Sequence, residues 1–151
     1  MNVASKESWK NSPMPDKNAE LPFVREFSIQ ELEAIKIGII PQEMEDKWFI
    51  YFNDNIIHFH RSWTGMKVFE VHLICSANDH ATISKCIVNR DSTEYSAVNE
   101  NADIDLLNYL IDRLLLSHNV DFPESNSINQ FGVDLSKHHV VGYGRSNKEQ
   151  N

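Results

Sequence analysis

Lys47-Trp48-Phe49-Ile50-Tyr51-Phe52-Asn53-Asp54-Asn55-Ile56-Ile57-His58-Phe59-His60-Arg61-Ser62-Trp63-Thr64-Gly65 is the stretch that decides the fold. Side chains alternate faces along a strand, so Trp48, Ile50 and Phe52 share one face while Phe49 and Tyr51 share the other. Asn53-Asp54-Asn55 is turn chemistry, because Asn and Asp tolerate left-handed backbone and bond their own chain. A two-residue loop at Asp54-Asn55 pairs Phe52 with Ile57, Ile50 with Phe59 and Trp48 with Arg61. That register gathers the apolar groups on one face. A second turn follows at Trp63-Thr64-Gly65, with glycine supplying a positive φ at no steric cost. It sets Ser62 opposite Met66 and Phe59 opposite Phe69. The core face then continues through Phe69, Val71 and Leu73. The other face carries Phe49, Tyr51, His58, His60, Val68, Glu70 and His72.

Outward from the hairpins, two helices are predicted. Ser28-Ile29-Gln30-Glu31 reads as a capping box, flanked by Phe27 and Leu32 as a hydrophobic staple. It opens a short helix over about 29–36 with Ile29, Leu32 and Ile35 on its buried stripe and Gly38 at its stop. Ile104, Leu107, Leu110, Ile111 and Leu114 recur at helical spacing and predict a long helix over about 103–118, with Asp103 and Asp105 at its positive end and Asn119 closing it. Residues 81–90 read as a fourth strand, with either Ile83/Ile87 or Cys86/Val88 facing inward, and 138–143 as a possible short strand. The expected class is α+β: an antiparallel four- to five-stranded meander with the long helix packed on one face. The domain layout is a flexible arm at 1–22, a single domain at 23–144 and a frayed tail at 145–151.

Composition narrows the partners. The chain has 151 residues and a formal net charge of -8, with no basic stripe of the kind that nucleic acid or an anionic membrane requires. No apolar run is long enough to span a bilayer. Residues 1–20 lack the apolar centre of a signal peptide. With only Cys75 and Cys86, reduced thiols and a cytoplasmic setting are expected.

Three clusters carry possible chemistry. His60-Arg61-Ser62-Trp63-Thr64-Gly65 places an indole in a turn. Trp63 would either stack on a base with Arg61 near a phosphate, or fold back over the core with Arg61 stacked on Trp48. Asn89-Arg90-Asp91 with Tyr95 would either bind phosphate and ribose hydroxyls or form an Asx turn with a surface ion pair. His58, His60 and His72, with Glu70, share a face compatible with a metal site, although half-exposed histidines on aromatic faces are ordinary and no metal or other cofactor is assigned. No glycine-rich phosphate loop, nucleophile elbow or Cys/His pair appears.

The strings Lys47-Trp48-Phe49-Ile50-Tyr51, His60-Arg61-Ser62-Trp63-Thr64-Gly65 and Val88-Asn89-Arg90-Asp91, with Tyr95, resemble a family of small, mostly uncharacterised bacterial domains. These occur alone or appended to ADP-ribosylglycohydrolases or macrodomain-like proteins. The resemblance covers about residues 41–116 and implies, by association, a place near ADP-ribose or NAD chemistry. The sequence therefore points to a binding or accessory module for a nucleotide-type ligand, with Arg61 and Arg90 on phosphate, Trp63 stacking, and Ser62, Asn89, Asp91 and Tyr95 around it. One alternative is a small hydrolase using His60 as base with Asp91 or Glu43 as its partner. Another is a protein-interaction module.

Overall fold

The computed structural model describes residues 3–76, 80–96 and 99–116. The β-hairpin at the centre of the sequence forms as its pattern requires. Strand β3 (Trp48–Asn53) pairs antiparallel with β4 (Ile56–Arg61), matching Phe52 with Ile57, Ile50 with Phe59 and Trp48 with Arg61. Asp54 and Asn55 take φ of 54° and 61°, the twist that suits a two-residue hairpin turn. Strands β5 (Lys67–Cys75) and β6 (Ala81–Asn89) complete the meander.

Two short strands, β1 (Asn18–Glu20) and β2 (Glu26–Phe27), lie along the free edge of β6 at its two ends. The sheet therefore has six strands, in the order β1-β6-β5-β4-β3, with β2 pairing β6 on the same edge as β1. Residues 3–22, expected as a flexible arm, are instead laid against the sheet. The Ala4 amide donates to the Ile37 carbonyl at 2.8 Å, Ser12 to Gly65 at 2.8 Å, and the Trp9 indole to the Ser62 carbonyl at 2.7 Å. The segment lacks periodicity because its packing groups, Ala4, Trp9 and Leu21, are widely spaced single anchors, not a stripe.

Helix α1 (Ile29–Ile37) carries the expected capping box: Ser28 Oγ accepts from the Glu31 amide at 3.1 Å and Glu31 Oε1 accepts from the Ser28 amide at 3.0 Å. Gly38 ends it at φ 73°. Leu32 and Ile35 are buried, but Ile29, predicted on the same stripe, is exposed. Helix α2 (Glu100–Tyr109) starts earlier than expected, because Asn99 Oδ1 caps the Asn101 and Ala102 amides. It runs into a π-helical turn at Leu110–Leu115. Leu106, Leu107, Leu110 and Ile111 are buried and Ile104 is only partly covered; the wider turn shifts the phase of the stripe beyond them, so Leu115 is buried and Leu114 only partly covered. Both helices pack on the face bearing Ile50, Phe59, Phe69 and Val71. The expected end at Asn119, the strand at 138–143 and the tail at 145–151 lie outside the described residues. No helix among the described residues is long and apolar enough to cross a membrane.

Two β-bulges set which residues face the core. In β5 the register shifts after Phe59↔Phe69 so that His60 meets Lys67. Val68 joins the core instead of the second face, and Lys67 turns to that face in its place. The loop is consequently one residue longer than expected: Arg61, not Ser62, bonds Met66, through its amide to the Met66 carbonyl at 2.9 Å. In β6 the shift between Leu73↔Ile83 and His72↔Lys85 leaves Ser84 unpaired. That resolves the ambiguous facing: Ile83, Cys86 and Val88 all reach the core, and Ile87 turns away.

Gly65 has φ 81°, and a Cβ there would meet the Lys10 carbonyl oxygen at 3.1 Å and the Asn11 backbone at 3.2 Å. Gly65→Val combines a left-handed β-branched residue with displacement of the N-terminal segment. It should destabilise by about 1–3 kcal/mol, seen as a lower thermal midpoint; an unchanged midpoint would refute the packing of residues 10–12 on this turn.

Candidate functional site

The residues singled out in the sequence separate into three places. The first is the end of the β3–β4 pair. Arg61, across from Trp48, lays its guanidinium over that indole at 5.2 Å from the ring centroid. It is partly buried, and burial lowers its pKa. Among the described residues its side chain has no hydrogen bond and no carboxylate partner. The Trp48 indole N–H beneath it is buried and also has no acceptor among the described residues. Two unmet donors thus share one stack.

Beside them, Trp63 neither folds over the core nor lies free. It is 57% exposed, its Nε1 donates to the Met44 carbonyl at 3.0 Å, and the Lys47 ammonium sits 4.5 Å over its ring. Lys47 is held below its ordinary pKa by burial and then by the charge of Arg61, with Glu45 opposing. Ser62 is buried, and its hydroxyl donates to the Asp46 carbonyl at 2.6 Å, so it ties the turn to the acidic 41–46 loop and offers nothing to a ligand.

The second place is the network between the end of β6 and α2. Asn89 is buried, donating from Nδ2 to the Lys67 carbonyl at 2.8 Å and to Glu94 at 2.9 Å. Its Oδ1 accepts from the Asp91 amide, and Asp91 accepts from the Thr93 amide and hydroxyl in an Asx turn. Arg90 donates to Asp103 Oδ2 and Tyr95 to Asp103 Oδ1, each at 2.7 Å. Asp103 is fully buried; burial pushes its carboxyl up against the lowering effect of the Tyr95 and Arg90 bonds. Tyr95 is held well above its ordinary pKa by burial and by Asp103. Arg90 and Tyr95 are therefore engaged in joining the end of the sheet to α2, and Asn89 and Asp91 in the turn that follows β6. Arg61 and Arg90 both lie within electrostatic reach of Tyr95, but Arg90 is bonded to Asp103.

The third place is the second face of the sheet. Tyr51 stacks on His58 at 4.5 Å and on His60 at 5.7 Å, with Phe49 beside them. His60 is fully buried, its Nδ1 bonded to the Gly65 carbonyl at 2.9 Å and its Nε2 without a partner among the described residues. The carbonyl can only accept, so Nδ1 carries the proton. The bulged Lys67 sits at the centre of the polar groups, 2.8 Å from His58 Nδ1 and 2.7 Å from Glu70 Oε2, while His72 Nε2 reaches Glu70 Oε1 at 3.0 Å. Burial lowers His58 and His60 to about 4, and the Lys67 charge adds to both. Burial raises Glu70, but the bonds from Lys67 and His72 and the Lys67 charge outweigh it and leave its pKa lowered. The three histidines do not form a metal-ligand set: the Lys67 ammonium takes up His58 Nδ1 and Glu70, and His60 Nδ1 is held by the Gly65 carbonyl. No such grouping of His, Cys, Asp and Glu exists among the described residues. Nor is His60 bonded to Asp91 or Glu43; Glu43 lies fully exposed in the acidic loop, its pKa raised by Glu45.

Lys67 and Asp103 carry these arrangements and were not singled out for these roles in the sequence. No sequence signal marks the bulge that turns Lys67. Asp103 did leave one: it lies at helical spacing from Leu106, Leu107 and Leu110, on the stripe that faces the core. Comparison with models of known protein families, with curated proteins and with solved structures returns no match.

Proposed function

We propose that the protein is a binding module for a nucleotide-type ligand of the ADP-ribose class, held at the end of the β3–β4 hairpin. The observation that carries the reading is Arg61: a partly buried cation with no hydrogen bond or carboxylate among the described residues, stacked on an indole whose own N–H lacks an acceptor among them. A desolvated cation is costly unless an anion meets it, and cation–π attraction returns only about 0.5–2 kcal/mol. A phosphate would supply the missing acceptors. Lys47 adds a second cation, and the exposed face of Trp63 is a stacking surface for a base. The resemblance of the His60–Gly65 string to modules appended to ADP-ribosylglycohydrolases points the same way, by association. The hydrolase alternative is not favoured, because among the described residues His60 is bonded to the Gly65 carbonyl and not to Asp91 or Glu43.

Each charge-assisted hydrogen bond is worth about 1.5–3 kcal/mol, so Arg61→Ala should weaken binding roughly ten- to a hundredfold. Titration with ADP-ribose, NAD and AMP by calorimetry, with Trp63→Phe to assign any fluorescence change, measures this. Arg90→Ala should instead lower the melting temperature while leaving affinity per folded molecule unchanged. A second reading rests on a different observation: Met44, 74% exposed, is joined through its backbone carbonyl to Trp63, 57% exposed, so two exposed large apolar side chains belong to neighbouring loops. No heat with any of the three nucleotides would refute the nucleotide reading and favour a protein partner at those two side chains.

A further inference from the structure

The second face of the sheet holds a cleft that the nucleotide reading does not use. It is about 350 Å³, with the N-terminal segment at Lys6, Asn11 and Pro13 on one side and Tyr51, Ile56 and Lys67 on the other. That volume is at the small end of the range for ligand pockets, about 300–1,000 Å³. Its charges are balanced. Lys67 is paired with Glu70, Lys6 is set against Asp54, and Glu70 and Glu7 both act on Tyr51. An anion would meet these carboxylates and a cation would meet the two ammoniums, so a neutral ligand enters at the least electrostatic cost. The hydrogen-bonding groups are of both kinds. Lys67 has three ammonium protons; two are directed to His58 and Glu70, and one is left. The Tyr51 ring is buried, but its hydroxyl is not sealed off and has no hydrogen-bond partner among the described residues. Burial, Glu70 and Glu7 raise its pKa, so it keeps its proton as a donor. Asn11 is held by its own segment: Nδ2 donates to the Lys6 carbonyl at 2.8 Å and the Trp9 carbonyl at 3.0 Å. Its Oδ1 is left as an acceptor, and the Asp54 carboxylate is another without a donor among the described residues.

We infer that this cleft binds a neutral polyol of monosaccharide size, its adjacent hydroxyls joining the donors of Tyr51 and Lys67 to the acceptors of Asn11 and Asp54. A hydroxyl both donates and accepts, so neighbouring hydroxyls satisfy both sets of groups and bring no charge. Ile56 and Pro13 supply aliphatic surface for the C–H groups of such a ligand. A planar base is disfavoured, because the Tyr51 ring is buried against His58, His60 and Phe49 and offers no open face for stacking. Lys67 reaches this position only through the bulge at Val68, which places a buried ammonium where the alternation of the strand would put a valine.

The test is NMR titration of the full chain with D-glucose and with D-ribose, following the His58 and Tyr51 ring resonances, with acetate as a charged control. Saturable shifts with at least one sugar are expected, weakened about two- to tenfold by Tyr51→Phe and by Asp54→Gly. Tyr51→Phe keeps the ring, and glycine suits the φ of 54° at Asp54. Both substitutions leave the Lys67–Glu70 pair intact, and melting curves check that each variant folds. Absence of saturable shifts with either sugar, shifts indifferent to both substitutions, or an equal response to acetate would each overturn the assignment.

Discussion

Asp103→Ala should cost about 3–5 kcal/mol, the penalty for removing one partner of a buried charged pair. The side chain is fully buried, accepts from Arg90 and Tyr95 at 2.7 Å each, and fastens the start of α2 to the end of β6. Truncation would strand the phenol hydroxyl of Tyr95, itself buried, and leave the Arg90 guanidinium without this carboxylate. Native domains are stable by only about 5–15 kcal/mol, so this loss is a large share of the whole. The melting temperature should fall by roughly 10 °C or more. Tyr95→Phe removes one neutral donor and should cost about 1 kcal/mol. The triple change Asp103→Leu, Arg90→Met, Tyr95→Phe removes charge and hydroxyl together, and should recover much of the loss because an apolar replacement leaves nothing unpaired. A fall under 3 °C for Asp103→Ala would show that the network does not hold α2 to the sheet.

The contrast between Asp103 and the hairpin shows where sequence reading succeeds. The β3–β4 register was legible to the residue because three signals agreed: period-two alternation, an Asn-Asp-Asn turn and one apolar face. The capping box of α1 was legible because both halves of it lie within four residues. The bulge at Val68 was not, since it answers to pairing across the β4–β5 turn and leaves no composition behind. One residue of phase moved Val68 inward and Lys67 outward, and with them the character of the second face. The arginines show a different limit. Arg61 and Arg90 look alike as strings, each beside a polar neighbour at a strand end, yet Arg90 is paired with Asp103 from thirteen residues on, whereas Arg61 has no carboxylate partner among the described residues. Only the position of α2 decides between them. The N-terminal segment follows the same rule: its anchors are single residues whose partners are distant in the chain.

Acid should unfold this protein earlier than its carboxylates alone would. His58 and His60 are lowered by burial from an ordinary value of 6.5 to about 4. In the unfolded chain both take up protons as the pH drops through 6.5; in the native state they stay neutral until about 4. The unfolded state therefore binds more protons across that window, and stability must fall with pH there. The slope is about 1.4 kcal/mol per pH unit for each histidine, and the full loss approaches roughly 3 kcal/mol for the completely buried His60. Protonating His60 would place a charge between Phe49 and Tyr51, and protonating His58 would turn its Nδ1 from acceptor to donor against the Lys67 ammonium. Glu70 acts in the same direction at lower pH: its lowered pKa gives stability present above the ordinary carboxylate value and lost as it protonates. The histidine share therefore appears first, between pH 6.5 and 4.5. Urea midpoints at pH 7, 6 and 5 should decline steadily, and His60→Phe, which keeps a ring among its aromatic neighbours, should shallow the decline even if it lowers the starting value by losing the Gly65 bond. A midpoint constant from pH 6.5 to 4.5 in the native sequence would refute the neutral burial of both rings.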